Sequence, residues 1–570
     1  MLKSENISGA EAILLSLIAE GVDTIFGYPG GTIIPIYDKL YGYTDQINHI
    51  LTRHEQGAVH AAQGYSRATG KVGVCMATSG PGATNFVTGI ADAMVDSTPI
   101  ICITAQVAST ALGSDAFQEA DMISMTMPIT KWNYQVTSAS EIATALAKAF
   151  YISQTGRPGP VVLEVTKDAQ VEILETYHYK HVENLRSYNP TPTIKEDRVK
   201  QAAELINSAK QPLFIVGQGV MLSGASSQML ELVDKTDIPV ASTLMSLSTI
   251  PSAHRRYVGM VGMHGTVAAN VLTQKSDLIV AIGMRFSDRV TGDIKRYAPN
   301  AKIVHIDIDR VEIGKVVPSY LGIVGDAKTV IEMLMPLVEK SDRSEWFKEA
   351  ERCLEKEYKL VISKTVHNHD PILRMGKAVD IIAKACDGEA IIVTDVGQQQ
   401  MYAARYSKFK QPRSFVTSGG LGTMGYGLPA AMGAKLGRKD RDVVAILGDG
   451  GFQMTMQELG TIAQNNIGVK IVILNNSFLG MVRQWQQLFF ERRYSFTELQ
   501  NPDFSLISAA YGIESSRVSD EESLKAAVKR MFEHKGSYLL EVIVDREENV
   551  FPMVPAGASI SEQICDAEGN

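Results

Sequence analysis

Cysteine is scarce in this chain and poorly placed for chemistry. Five cysteines fall among 570 residues, at Cys75, Cys102, Cys353, Cys386 and Cys565, and no two share a CxxC or CxH spacing. That argues against a disulfide framework or a thiolate metal site, and the apolar runs around Cys75 and Cys102 point to buried free thiols. Long apolar runs are absent too. None reaches the roughly 20 residues of a membrane span, and the opening MLKSENISGAEA has no apolar signal-peptide core. A reduced cytoplasmic setting without a membrane partner is expected. Blocks of positive charge are also missing. With a net charge of −8 and no basic cluster, neither nucleic acid nor an anionic membrane surface is an expected partner.

What is present is ordinary for a globular protein: 45% hydrophobic and 21% charged residues. The length allows three or four domains at roughly 150 residues each. Ser8-Gly9-Ala10-Glu11 has the form of a capping box before apolar residues at helical spacing, closed by Gly21. Short apolar strand-like runs then alternate with helix-like ones: 22–26, 47–51, 71–78 and 99–104 in the first third, 213–216, 278–282 and 303–308 in the second, and 391–395, 441–447 and 469–474 in the last. Such alternation predicts an α/β protein of three doubly wound parallel-sheet domains. A polar stretch, 177–192, reads as a linker, and a charged helical stretch, 340–359, leads to the last unit. Expected domains are 1–180, 190–345 and 370–570. Gly217-Gln218-Gly219 after a strand is a weak dinucleotide signal, because the third glycine of that fingerprint is missing.

The most informative stretch is Gly448-Asp449-Gly450 … Asn475-Asn476, each motif closing an apolar strand. Parallel strands put their carboxyl ends at one edge, where ligands bind, so Asp449 and Asn476 are expected to face one point. One carboxylate, one amide oxygen and a glycine-lined approach suit a Mg²⁺ that already carries phosphate, since that ion takes only one or two protein carboxylates. Turn-forming Asp, Asn and Gly at strand ends are the plainer alternative. Together the two motifs resemble the diphosphate anchor of thiamine-diphosphate enzymes. Glu55 follows a short strand and opens a run of small residues. A carboxyl of this kind, hydrogen-bonded to the cofactor's aminopyrimidine, is what thiamine chemistry needs, and a dry site would favour the proton-sharing bond.

Further segments widen the resemblance: Gly27-Tyr28-Pro29-Gly30-Gly31, Arg53-His54-Glu55-Gln56, 78–85 (TSGPGATN), 115–119 (DAFQE), 262–265 (GMHG), 285–292 (RFSDRVTG), 418–425 (SGGLGTMG), 480–486 (GMVRQWQ) and 552–555 (PMVP). From about Gly9 to Ile564 the chain resembles the large catalytic subunit of acetohydroxyacid (acetolactate) synthase, a transferase of branched-chain amino-acid biosynthesis. The resemblance implies a pyrimidine-binding first domain, a central FAD-contacting domain and a diphosphate-binding last domain. It further implies decarboxylation of pyruvate and transfer of the two-carbon remainder to pyruvate or 2-ketobutyrate. In it Glu55 is the pyrimidine-side carboxylate. Asp449, Asn476 and the main chain of Phe478 hold Mg²⁺. Gly397, Gln398, Gln399, Gly422, Gly448, Gly450 and Met481 border thiamine diphosphate, and Met424 props its bent shape. Many relatives carry His at Gln399. Gly31 lets the backbone approach the reacting centre, and Phe117 and Gln118 border the substrate. FAD, in a structural role, maps onto Arg157, Lys167, Gly217, Met263, His264, Arg285, Asp307 and Asp326. Arg289 offers a planar fork for a ketoacid carboxylate. Trp485 offers an apolar wall, where one methylene is worth roughly 1–3 kcal/mol. A homodimer or homotetramer and a small regulatory subunit are implied partners. The alternatives are another thiamine-diphosphate carboligase or oxidase of the same fold, or a non-catalytic flavin-binding relative.

Overall fold

A computed structural model describes residues 2–368 and 371–566. The expected domain limits at 1, 370 and 570 lie outside them. Three six-stranded sheets form the frame, and every strand pair within them is parallel. The first runs Asn48–Leu51, Thr24–Tyr28, Gly73–Ala77, Ile100–Gln106, Val161–Thr166, Trp132–Val136. The second runs Tyr257–Met260, Val240–Ser242, Pro212–Val216, Leu278–Ile282, Lys302–Asp307, Leu321–Val324. The third runs Phe415–Val416, Ile391–Thr394, Val443–Gly448, Lys470–Asn475, Tyr538–Ile543, Glu514–Val518. The inner strands are buried from end to end because helices cover both faces, which explains their unbroken apolar runs.

Counting strands within each sheet in chain order, the first and third sheets share the order 2-1-3-4-6-5, while the second is 3-2-1-4-5-6. The first and third units therefore repeat one topology that no residue-level repeat betrays. The second has the doubly wound order that suits a dinucleotide. In each sheet the order reverses beside the first strand, and a crevice opens there at the carboxyl ends. Those crevices hold Gly27–Gly31 with Thr78–Gly82, Gly217–Gly219 with Gly283, and Val396–Gln399 with Gly448–Gly450.

The capping box forms as expected, with Ser8 Oγ accepting from Glu11 N at 3.2 Å. The expected linker 177–192 is partly structured. Its first residues belong to the strand Ile173–Tyr179, which pairs antiparallel with Leu2–Ser8 and buries Tyr177 and Tyr179. Two buried tyrosines gave that stretch a core role that its polar neighbours masked. All five cysteines are buried and free, and Cys75 and Cys102 are register partners on adjacent strands. No helix among the described residues is long and apolar enough to cross a membrane.

The first and third units meet through two helices, Glu55–Thr69 and Gly427–Gly437. A Cβ on Gly64 would lie 2.0 Å from Ala430 O, and one on Gly433 would lie 1.9 Å from Ala61 O. Only glycine allows backbones this close, so the pair docks Glu55's helix rigidly onto the sheet that carries Asp449.

Candidate functional site

Asp449 is the first residue of the helix Asp449–Thr455, directly after the strand Val443–Gly448, where a helix N-terminus favours negative charge. It is buried, and burial pushes its carboxyl up to about 6, opposed by hydrogen bonds led by that of Asn501. Asn501 Nδ2 donates to Asp449 Oδ2 at 2.6 Å and to Asn475 Oδ1 at 2.9 Å, tying the two strand ends together. Asn476 turns differently. Its Oδ1 accepts from Phe478 N at 3.2 Å, and its Nδ2 donates to Gln398 Oε1 at 3.3 Å. Gln398 in turn donates to Gln484 Oε1 at 3.0 Å and to Glu548 O at 2.8 Å, so the edge rests on a buried amide chain. The short segment at Ser477–Leu479 is pinned by Leu479 N to Thr497 O (2.8 Å) and Leu499 N to Ser477 O (2.9 Å).

This donor set fits a hard cation. A buried carboxylate that keeps its proton to higher pH than usual and an amide oxygen lie at the ends of adjacent strands, the carboxylate at the positive end of a helix. Among the described residues no group of three His, Cys, Asp or Glu is arranged for a metal, so any cation here relies on amide and main-chain oxygens.

Beside this edge opens a cleft of about 1750 Å³, well above the roughly 300–1,000 Å³ of a single-ligand pocket. From the third unit Gly397, Gly422, Met424 and Met481 line it. Arg157 and, from the central unit, Met263, His264, Arg285, Asp307 and Asp326 line it as well. Burial lifts Asp307 to about 6 and depresses the buried His264 to about 4. Asp307 closes the strand next but one to Pro212–Val216; an acidic side chain at a strand end is what a ribose calls for, and the doubly wound central sheet fits a dinucleotide. Arg157 pairs with Asp309 (3.2 Å) and Glu312 (2.9 Å), and its Nε donates to Ser97 Oγ at 2.9 Å. Arg289 and Trp485, from different units, meet at the cleft with the guanidinium carbon 5.8 Å from the ring centroid. The Arg289 side chain is 60% exposed and only loosely engaged, Nη1 lying 3.9 Å from Asp288 Oδ2 and 3.9 Å from Met263 Sδ.

Glu55 lines no part of this cleft; nor do Gly31, Phe117 and Gln118. They gather at the crevice of the first sheet. Glu55 begins the helix Glu55–Thr69 and accepts from Asn85 Nδ2 at 2.9 Å, while a Cβ on Gly82 would lie 3.2 Å from Glu55 Oε1. Gly31 is open, Gln118 adopts φ 62°, and Phe117 is 87% exposed. Two of the expected FAD contacts do not line the cleft within one chain. Lys167 heads the helix Lys167–Val171 and is exposed. Gly217 is buried against Gly283, its absent Cβ 2.0 Å from Gly283 O, and its neighbours Gln218 and Gly219 line the cleft.

Several polar residues that shape these sites escaped sequence reasoning. Asp395 is buried, lifted to about 6 by that burial, and accepts from Gly425 N (3.1 Å) and Gly427 N (2.9 Å), seating the turn after Met424. Asp96, paired with Arg67 at 2.7 Å, accepts from Gly419 N (2.9 Å) and Gly420 N (2.8 Å). Its only sequence signal was a carboxylate just past the helix Val87–Val95, which itself carries Asp92.

Family profiles match three segments: thiamine pyrophosphate enzyme, N-terminal TPP binding domain over residues 7–125, central domain over 199–334, and C-terminal TPP binding domain over 395–542. Relatives align along almost the whole chain. The acetolactate synthase large subunit of Corynebacterium glutamicum is 46% identical over 574 residues, covering 98% of this chain and 90% of the relative. The probable acetolactate synthase large subunit of Methanocaldococcus jannaschii is 46% identical, covering 97% and 95%. This chain belongs to the acetolactate synthase large-subunit family of thiamine pyrophosphate enzymes. Within the family, isozyme 1 of Escherichia coli is 42% identical, with 98% of each chain covered. The three matched segments fall on the three sheets, so the family's N-terminal and C-terminal TPP domains are the two units of identical strand order.

Proposed function

We propose that this chain is an acetolactate synthase catalytic subunit, which decarboxylates pyruvate and joins the two-carbon remainder to a second 2-ketoacid. The products are 2-acetolactate from pyruvate and 2-aceto-2-hydroxybutyrate from 2-ketobutyrate, early steps of branched-chain amino-acid synthesis. The observation that carries this reading beyond family membership is the Arg289–Trp485 pair at a cleft bordered by Gly422, Met424 and Met481. Thiamine diphosphate, when bound, supplies the carbon nucleophile and the electron sink for decarboxylation.

The chain's own residues bind, orient and exclude water. Asp449, Asn476 and the Phe478 carbonyl would hold Mg²⁺. Gly397, Gln398, Gln399, Gly422, Gly448, Gly450, Met424 and Met481 would border thiamine diphosphate. Glu55 holds a proton at the aminopyrimidine nitrogen. Arg289 receives the acceptor carboxylate as a bidentate partner, and Trp485 walls its alkyl group. Arg157, Met263, His264, Arg285, Asp307 and Asp326 would hold FAD, as a structural group.

Glu55 and the Asp449 edge sit at crevices of different sheets. An assembly of two chains in which each lends its Glu55, Gly31, Phe117 and Gln118 to the other's cleft completes the site, and the exposed Phe117 ring supports that reading. Lys167 would then meet FAD or substrate from the partner side. The name "large subunit" carried by the relatives supports a small regulatory subunit. The test is product analysis with pyruvate and 2-ketobutyrate in competition, with thiamine diphosphate, Mg²⁺ and FAD supplied. Formation of both acetohydroxyacids is expected. Decarboxylation to acetaldehyde or acetate alone would overturn the carboligase reading.

A further inference from the structure

Glu458 is a fully buried carboxylate that serves neither the Asp449 edge nor the cleft. It closes the single turn Met456–Glu458 between the helices Asp449–Thr455 and Leu459–Gln464. Its side chain leaves the third unit and reaches the main chain of the first. Oε1 accepts from Arg53 N at 3.0 Å and His54 N at 3.1 Å, while Oε2 accepts from Thr461 Oγ1 at 2.7 Å. Arg53 and His54 directly precede Glu55, and His54 caps Glu55's helix through Nδ1, which accepts from Gln56 N at 3.1 Å. The fit is close, since a Cβ on Gly57 would lie 2.4 Å from Glu458 Oε1.

The same short region grips the segment elsewhere. Thr461 Oγ1 donates to Leu51 O at 3.2 Å, and Arg53 Nη2 donates to Gln464 Oε1 at 2.6 Å. A glutamate is almost never fully buried unless paired, and burying its charge costs several kcal/mol without hydrogen bonds. An apolar residue would have packed here at lower cost. What a carboxylate provides is two acceptor oxygens that share a charge: one takes two successive peptide N–H groups, at 3.0 and 3.1 Å, while the other takes the Thr461 hydroxyl. Those two groups set where Glu55 begins its helix.

We propose that Glu458 is a positioning residue for Glu55, fixing the Arg53–His54 peptides so that the Glu55 carboxyl meets the cofactor's aminopyrimidine at a set distance. The inference rests on the reading of Glu55 as that proton-holding group. It acts through geometry, so its loss lowers proton handling at the cofactor while leaving ketoacid binding intact. A misplacement of about 1 Å in such a group costs on the order of 10²-fold.

Two readouts test it on the full chain. In the cofactor-free protein, amide hydrogen exchange of a peptide spanning 51–56 reports the grip itself, and Glu458→Gln is expected to speed exchange at Arg53 and His54 by about tenfold or more. In the loaded enzyme, hydrogen–deuterium exchange at C2 of bound thiamine diphosphate reports proton handling. It is expected to fall about 10²-fold in Glu458→Gln, with kcat falling alongside and KM for pyruvate nearly unchanged. Gln464→Ala, which touches only the Arg53 side chain from the exposed side, is expected to leave C2 exchange as in the wild type. Normal C2 exchange in Glu458→Gln, with Glu55→Gln strongly impaired, overturns the inference and leaves the Glu55 reading standing. Normal C2 exchange in Glu55→Gln overturns that reading itself. Should Glu458→Gln fail to fold, Thr461→Val removes the hydroxyl that orients the carboxylate. A fall of about tenfold in C2 exchange then supports the proposal, and no fall overturns it.

Discussion

Replacing Gly64 with alanine places a methyl carbon 2.0 Å from the carbonyl oxygen of Ala430. The helices Glu55–Thr69 and Gly427–Gly437 must part by the difference, about 1 Å, between that and the 3.0 Å such contacts require. No rotamer relieves the clash, because the obstructing atom belongs to the backbone and alanine has no side-chain torsion to adjust. Parting the helices thins the shared core of Ala58, Ala62, Tyr65, Leu428 and Ala431, all buried. Overpacking of this kind costs roughly 1–3 kcal/mol, which for a unit of this size is about 2–12 °C in Tm. Differential scanning calorimetry of the cofactor-free protein is the assay. Gly42→Ala is the control, since nothing lies within 4 Å of its added carbon, and its Tm is expected at or slightly above that of the wild type. The double change Gly64→Ala with Ala430→Gly is expected to recover nothing, because the oxygen remains. A wild-type Tm for Gly64→Ala, or recovery in the double variant, would refute backbone-to-backbone contact as the junction between the two units.

Three further outcomes are expected. Trp485→Leu keeps acetolactate formation but lowers the 2-ketobutyrate to pyruvate product ratio by about 10- to 200-fold, the value of one methylene; an unchanged ratio in the competition assay sinks the pocket assignment. Asp449→Asn abolishes the roughly 2.7 kcal/mol of stabilisation that Mg²⁺ with thiamine diphosphate gives at a hundredfold excess over Kd. Since burial lifts Asp449 to about 6, the uncharged variant melts no lower than the wild type without ligands, and a retained ligand-induced Tm shift argues against a metal role. Glu164, held by Gln106 (2.9 Å) and Gln135 (2.6 Å), is raised by burial from 4.5 to about 7. The folded chain thus keeps this proton to higher pH than the unfolded one. The penalty is absent below pH 4.5 and grows to roughly 3 kcal/mol as pH rises through 7. Glu164→Gln therefore flattens the fall of Tm between pH 5 and 8, and equal pH profiles for the two proteins would contradict that account.

Local pattern determined a good deal of this protein. Parallel strands buried on both faces need continuous apolar runs, so Leu278–Ile282 and Ile391–Thr394 were legible at once. Glycines and acids at strand ends marked the crevices, because phosphate and metal recognition needs bare backbone and hard oxygens at fixed spacing. Spacing along the chain carries no information about strand order, however. Only the tertiary structure showed that the outer units share one order and the central one another. It alone brought Arg289 against Trp485 across some two hundred residues of chain and made Tyr177 and Tyr179 core residues. Residues such as Glu458 and Asp96 were illegible for the same reason. A buried carboxylate earns its place through partners distant in sequence, and in the sequence it looks like any charged residue on a helix. What the chain could state locally was which chemistry it is equipped for; which groups stand close enough to perform it was decided by packing.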